Sequence, residues 1–219
     1  MCNLYSQTMP REAVIRLFRV GGNRAAAFDP QPAIFPSQEA PVVRQASDGG
    51  REISLLSWGF VLPQQGRAAK RVTNARDEKV MTSSFWKGSF AERRCLVPAT
   101  SFAEPKGSRP AVWHWFALKG AAPRPLFAFA GLWRSWKGPL KEGGDPVAMD
   151  VYAILTTTPN DTVKPIHPAR MPVMLSGEDE FDTWLSGAPE AAYALARPFP
   201  AAAMHIVHKG ENKDEVNPL

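Results

Sequence analysis

An α+β fold is predicted for this chain: a single domain over residues 1–219, built on a curved or barrel-like, mainly antiparallel β-sheet with short helices at its periphery. Three observations predict it. The chain holds 21 prolines in 219 residues, about twice the ordinary usage of roughly 5%. Proline is excluded from helix interiors and central strands, so many turns and short elements follow. Short apolar or alternating runs recur between turn residues along most of the chain, which is the pattern of strands. Helical spacing is confined to a few short stretches, and a core of this size is within reach of one β-rich domain.

The elements follow in order. "PREAVIRLFRV" (10–20) sets Val14, Leu17 and Phe18 at helical spacing, with Pro10 suited to a first turn. Residues 21–41 are Gly/Pro-rich and read as a surface loop, partly packed through Ile34 and Phe35. "ISLLSWGF" (53–60), "RCLVPATSFAE" (94–104), "AVWHWFALK" (111–119), "PLFAFAGLW" (125–133), "DVYAILTT" (150–157) and "AMHIVH" (203–208) read as strands. "WKGPLKEGGDP" (136–146) reads as an exposed hairpin loop. "SGEDEFDTWLSG" reads as a short helix with Ser176 as N-cap, acids in the first turn and Gly187 as the stop. "PEAAYALA" (189–196) is a second one.

Composition narrows the function. Hydrophobic residues at 44% and charged residues at 21% are globular values. A net charge of +5 with a sequence pI near 9.4 meets the basic-footprint criterion for nucleic-acid binding. The amino-terminal region has no charged start followed by an apolar stretch, and no apolar run is long enough to span a bilayer. Two cysteines far apart read as reduced thiols. A cytoplasmic monomer with no membrane partner is expected.

Four polar residues stand out. Cys2 follows the initiator methionine, so loss of Met1 would place a thiol and a free α-amine on adjacent carbons. Asn74 lies in "VTNARDE", behind the basic "GRAAKR". Glu104 ends a strand in "FAEP", and His167 sits between prolines in "PIHPARMPV", followed by Arg170. Each has a plainer reading: a packed thiol, a turn cap, a solvated strand end, a satisfied turn histidine. The two cysteines and four histidines form no CxxC, HxxxH or HExxH, and His114 in an aromatic strand reads as core, so no metal site is expected. GxxxxGK[ST], GxGxxG and GxSxG are also missing, which removes support for a nucleotide cofactor and for the usual serine hydrolase route. No cofactor is expected.

"MCNLY", "SWGFVLP", "TNARDE", "RRCLVPATSFAEP", "FAFAGLW", "AILTTTPN" and "IHPARMPVML" resemble, in order and spacing, the SRAP family. These are the SOS response-associated peptidase-like proteins, also called abasic-site processing or HMCES-like proteins. The resemblance runs from Met1 to about Asn212. It implies the SRAP fold, autocatalytic loss of Met1, and a covalent thiazolidine crosslink between Cys2 and the ring-opened abasic site in single-stranded DNA. That is a hydrolase-type self-processing and a lyase-type DNA-damage chemistry. By the same resemblance Asn74, Glu104 and His167 join Cys2 in catalysis, and Arg76 holds phosphate. Trp58 and Gly59 match the DNA-binding face, and Thr156 lies near the site. Arg67, Lys70, Arg71 and Arg170 complete the DNA-binding candidates.

The chemistry is coherent with those residues. An α-amine with a pKa near 7.7–8.0 is partly neutral at cytosolic pH and condenses with an aldehyde to an imine. The adjacent thiol closes a five-membered ring onto it at high effective molarity. Glu104 can relay protons, His167 can protonate the sugar oxygen as the ring opens, and Asn74 can orient the amine. Three departures from the family pattern bear on DNA specificity: Asn3 after the nucleophile, Pro105 in place of a tryptophan after Glu104, and an extra residue between His167 and Arg170. A base-stacking contact is then either missing or supplied elsewhere, with Trp113 and Trp115 as the candidates. Two rival readings stand beside this one: a cysteine peptidase acting in trans with His167 as base, and a non-catalytic single-stranded DNA-binding module.

Overall fold

The computed structural model describes residues 2–108 and 110–214. Five strands close into a ring: β3 (Glu39–Gln45), β4 (Arg51–Trp58), β8 (Arg94–Ala99), β11 (Phe127–Pro139) and β12 (Pro146–Thr157). Around it the pairs β3–β4, β3–β8, β8–β11 and β11–β12 are antiparallel. The closing pair, β4 with β12, is parallel and only two residues long, Val151 with Ser57 and Tyr152 with Trp58. At that seam the Gly59 amide donates to the Tyr152 carbonyl at 2.7 Å. Gly59 has φ +115, and an added Cβ would meet the Arg71 Cβ at 3.0 Å, so glycine is required where the chain leaves the barrel. It continues into a two-stranded hairpin, β5 (Phe60–Gln64) with β6 (Arg67–Val72).

A second, five-stranded sheet has the order β15–β10–β9–β1–β2. Its members are β1 (Tyr5–Gln7), β2 (Gln31–Ile34), β9 (Ser101–Lys106), β10 (Val112–Leu118) and β15 (Met204–Gly210). The run 94–104, read as one strand, is two. Thr100 breaks it, donating its amide to the Ser6 carbonyl at 2.8 Å, and there the chain crosses from barrel to sheet. Three short strands dress the barrel: β7 (Asn74–Arg76) and β13 (Met171–Pro172) on β12, and β14 (Met174–Leu175) on β11.

Alternate residues of the barrel strands feed two cores, as a period of two requires. Val42, Trp58, Val97, Phe127, Phe129 and Tyr152 share one with Tyr5, Phe102 and Phe116 of the second sheet. Val43, Leu96, Ala130 and Val151 share the other with the helices α1 (Arg11–Leu17), α3 (Lys87–Glu92), α4 (Glu178–Ser186) and α5 (Pro189–Tyr193). Each fully buried phenylalanine contributes roughly 1.5–3 kcal/mol. A four-residue helix, α2 (Asp77–Val80), follows β7.

The predicted fold class is the observed one: mostly antiparallel sheet, a closed barrel, and short helices outside it. Several details differ. The 21–41 stretch holds β2 and the start of β3, and the 136–146 loop shrinks because β11 runs on to Pro139 and β12 begins at Pro146. The N-cap of α4 is Gly177, not Ser176, whose own amide is instead capped by Glu180 Oε2 at 2.9 Å.

A candidate active site where barrel and sheet meet

The amino-terminal segment runs antiparallel to β9. Tyr5 pairs with Phe102, and the Ala103 amide donates to the Leu4 carbonyl at 3.0 Å, which draws Cys2 up beside Glu104. Cys2 is 1% exposed, and its thiol donates to the Leu4 carbonyl at 3.6 Å. Asn74, 72 residues away, donates from Nδ2 to the Cys2 carbonyl at 2.9 Å. Glu104 Oε2 lies 4.0 Å from His167 Nε2. All four sequence candidates for catalysis therefore converge, two from the sheet (Cys2 and Glu104) and two from the barrel side (Asn74 and His167). Met1, whose removal the resemblance implies, lies outside the described residues.

Electrostatics at the site follow from burial. Desolvation, and then the neighbouring Glu104 carboxylate, push the Cys2 thiol far above its ordinary value, so it stays protonated. Burial pushes the Glu104 carboxyl up to about 7, which poises it to take or give a proton near neutrality. Burial lowers the His167 imidazole. His167 Nδ1 lies 2.8 Å from the Arg170 carbonyl and 3.3 Å from the Arg170 amide. A carbonyl cannot donate, so the shorter contact places the proton on Nδ1 and leaves Nε2, facing Glu104, as the basic nitrogen.

The frame behind these groups is built from residues expected at the DNA. Trp58 is fully buried, and its indole N–H donates to the Thr73 carbonyl at 3.1 Å, holding the segment that carries Asn74. Thr156, also fully buried, donates from its hydroxyl to the Ala75 carbonyl at 3.0 Å. Gly59 is buried at the seam. Arg71 turns inward, donating to the Gly59 carbonyl at 2.9 Å. Arg170 is 12% exposed along its side chain and is spent on Asp77, on Glu78 at 2.9 Å, and on both oxygens of Thr156. All five thus help to hold the scaffold around the site. Trp115 is likewise fully buried, its indole N–H donating to the Glu211 carbonyl at 3.0 Å, while Trp113 keeps partial exposure.

Arg76, Arg67 and Lys70 remain exposed, Arg76 by 56% of its side chain with Glu78 at 4.0 Å. The sequence reading missed Thr73, Asp77 and Glu78. Thr73 donates to Asn3 Oδ1 at 2.8 Å and accepts from Asn74 at 2.9 Å, while the two acids anchor Arg170. Their only signal was adjacency to "NAR". The buried Asn74 Oδ1 has no hydrogen-bond partner among the described residues. No three His, Cys, Asp or Glu side chains among the described residues group as metal ligands, and no described helix is long and apolar enough to cross a membrane.

The family described as SOS response associated peptidase (SRAP) matches residues 1–213. The abasic site processing protein YoqW of Bacillus subtilis is 30% identical over 182 residues, covering 81% of this chain and 77% of its own. The abasic site processing protein HMCES of Gallus gallus is 26% identical over 216 residues, covering 84% of this chain and 63% of its own. Among solved structures, a Bacteroides thetaiotaomicron protein superposes with a TM-score of 0.74 at 20% identity, covering 93% of this chain and 90% of its own. One from Bordetella bronchiseptica gives 0.71 at 22% identity, with 95% and 98% covered. These two carry the fold alone. A family match over nearly the whole chain, together with a 30% identical relative across most of it, makes this protein a member of the SRAP family of abasic site processing proteins.

Proposed function

We propose that the protein forms a covalent crosslink with abasic sites in single-stranded DNA through Cys2, after Met1 has been removed by hydrolysis of the Met1–Cys2 peptide bond. The observation that carries this is the convergence of Asn74, Glu104 and His167 on Cys2 from three distant parts of the chain. The freed α-amine attacks the ring-opened aldehyde and expels water, leaving an imine. The thiol then adds across the C=N bond: sulfur bonds to carbon and the thiol proton ends on nitrogen. A thiol held protonated in a dry site needs a base at hand, and Glu104, with its carboxyl near pH 7, fills that role. His167 Nε2 shuttles protons with Glu104 and serves the sugar oxygen. The Asn74 Oδ1, without a partner in the present state, is an acceptor for the new α-amine. Exposed Arg76, Arg67 and Lys70 supply phosphate contacts.

The test is incubation with an abasic-site oligonucleotide. A heat-stable shifted band on a denaturing gel is expected, together with an intact mass lacking methionine. Neither appearing would overturn the reading.

A further inference from the structure

We propose that Asp214 is a positioning residue that staples together the two strands carrying Cys2 and Glu104; this deepens the proposed function and rests on it. One carboxylate oxygen, Oδ2, accepts from Ser6 Oγ at 2.8 Å and from Ser101 Oγ at 2.5 Å. Ser6 lies on β1, four residues after Cys2, and Ser101 on β9, three before Glu104. The Asp214 side chain is fully buried, and Arg124 donates to its two oxygens at 2.7 and 2.6 Å. The Asp214 amide also donates to the Pro32 carbonyl of β2 at 3.0 Å. A single residue near the far end of the chain thus fastens three neighbouring strands of the sheet.

The fastening is needed because the ladder beneath it is weak. β1 pairs with β9 through only Tyr5–Phe102 and Ser6–Ser101, and its register against β2 is irregular between Tyr5 and Gln7. A one-residue slip in a strand turns every side chain to the opposite face, which would swing Cys2 away from Glu104. A buried ion pair is weak as a source of stability beside well-packed apolar residues, so its placement on these two hydroxyls points to register rather than to stability.

The experiment compares two double variants that both lack the ion pair. Arg124→Ala with Asp214→Asn keeps an acceptor oxygen for the serines; Arg124→Ala with Asp214→Ala removes it. Each is assayed well below its own melting temperature, with an abasic-site oligonucleotide for single-turnover crosslinking and an undamaged one for affinity. The Asn variant should crosslink within about threefold of wild type, and the Ala variant about tenfold slower or more at unchanged affinity, as expected when a distant change misplaces reacting groups. A maleimide reagent, located by mass spectrometry, should alkylate Cys2 faster in the Ala variant alone. Equal crosslinking and equal alkylation in the two variants would overturn the staple. Should wild type fail to crosslink at all, the functional reading falls, and the alkylation comparison still decides whether Asp214 positions Cys2.

Discussion

The barrel and the five-stranded sheet meet at one site and bring opposite things to it. From the sheet side come Cys2 and Glu104, buried groups whose proton affinities are displaced far from their ordinary values. From the barrel side come Trp58, Asn74, Thr156 and Arg170, tied into hydrogen bonds that leave them little freedom. The difference teaches that reactive groups and rigid groups are placed on separate layers. His167, on the irregular segment between β12 and β13, is the link between them.

Substitutions can break or sharpen that contrast. The largest effect is expected at the sheet: Cys2→Ala should abolish the heat-stable crosslink, while Cys95→Ala, at a thiol equally buried but in β8 of the barrel, should leave it near wild type. A denaturing gel reads both. Equal losses would mean that burial in the core, not position at the amino terminus, is what matters.

Glu104→Gln should slow crosslinking by about 10²-fold or more, the usual scale for removing a general acid–base group. It should also stabilise the protein at alkaline pH. The folded-state pKa lies above the unfolded value of 4.5, at about 7. Between those two the folded state holds the extra proton, so wild-type stability is fully present below the lower value and declines as pH rises through the upper one. The ceiling on that loss is on the order of 3 kcal/mol. Thermal melts should therefore show the variant several degrees above wild type at pH 8 and level with it at pH 4. A variant no more stable at pH 8 would mean that the Glu104 carboxyl is not raised.

The barrel frame should answer differently. Arg170→Ala removes the cation from Asp77, the more buried of its two acids, and costs about 3 kcal/mol, the scale for breaking a largely buried pair. It should slow crosslinking about tenfold by loosening the His167 turn, well short of the loss at Glu104. An effect on stability without one on rate would detach the frame from the chemistry. Smallest of all is Arg76→Ala. It should leave the crosslinking rate at saturating protein unchanged and lower the slope of log affinity against log salt by about 0.7, one phosphate contact on a single strand. Anisotropy across a salt series checks this, and parallel curves of equal affinity would move the DNA elsewhere on the surface.

Much of this was legible in the sequence, and the part that was not has a physical reason. Strand runs such as "PLFAFAGLW" declare themselves by composition, and the resemblance of the motif blocks to the SRAP family pointed to Cys2, Asn74, Glu104 and His167, which the structure brings together. β2 and β3 were hidden by prolines. Pro41 is tolerated in β3 because it lies beyond the Val43–Arg44 stretch that pairs with β8. Less legible were the internal bonds of Trp58, Thr156, Arg71 and Arg170, because the partners of such residues are set by tertiary structure rather than by local pattern. Arg170 and Glu78 are 92 residues apart, a pairing that no local pattern encodes.

The bond between Ser6 and Asp214 spans 208 residues. At translation rates of about 5–20 residues per second, roughly 10–40 s separate the synthesis of its two halves. Throughout that interval Ser6 is already made while the residue that fastens β1 has yet to be. Cys2 is made long before Asp214, so a nascent chain carries the cysteine without the completed sheet around it.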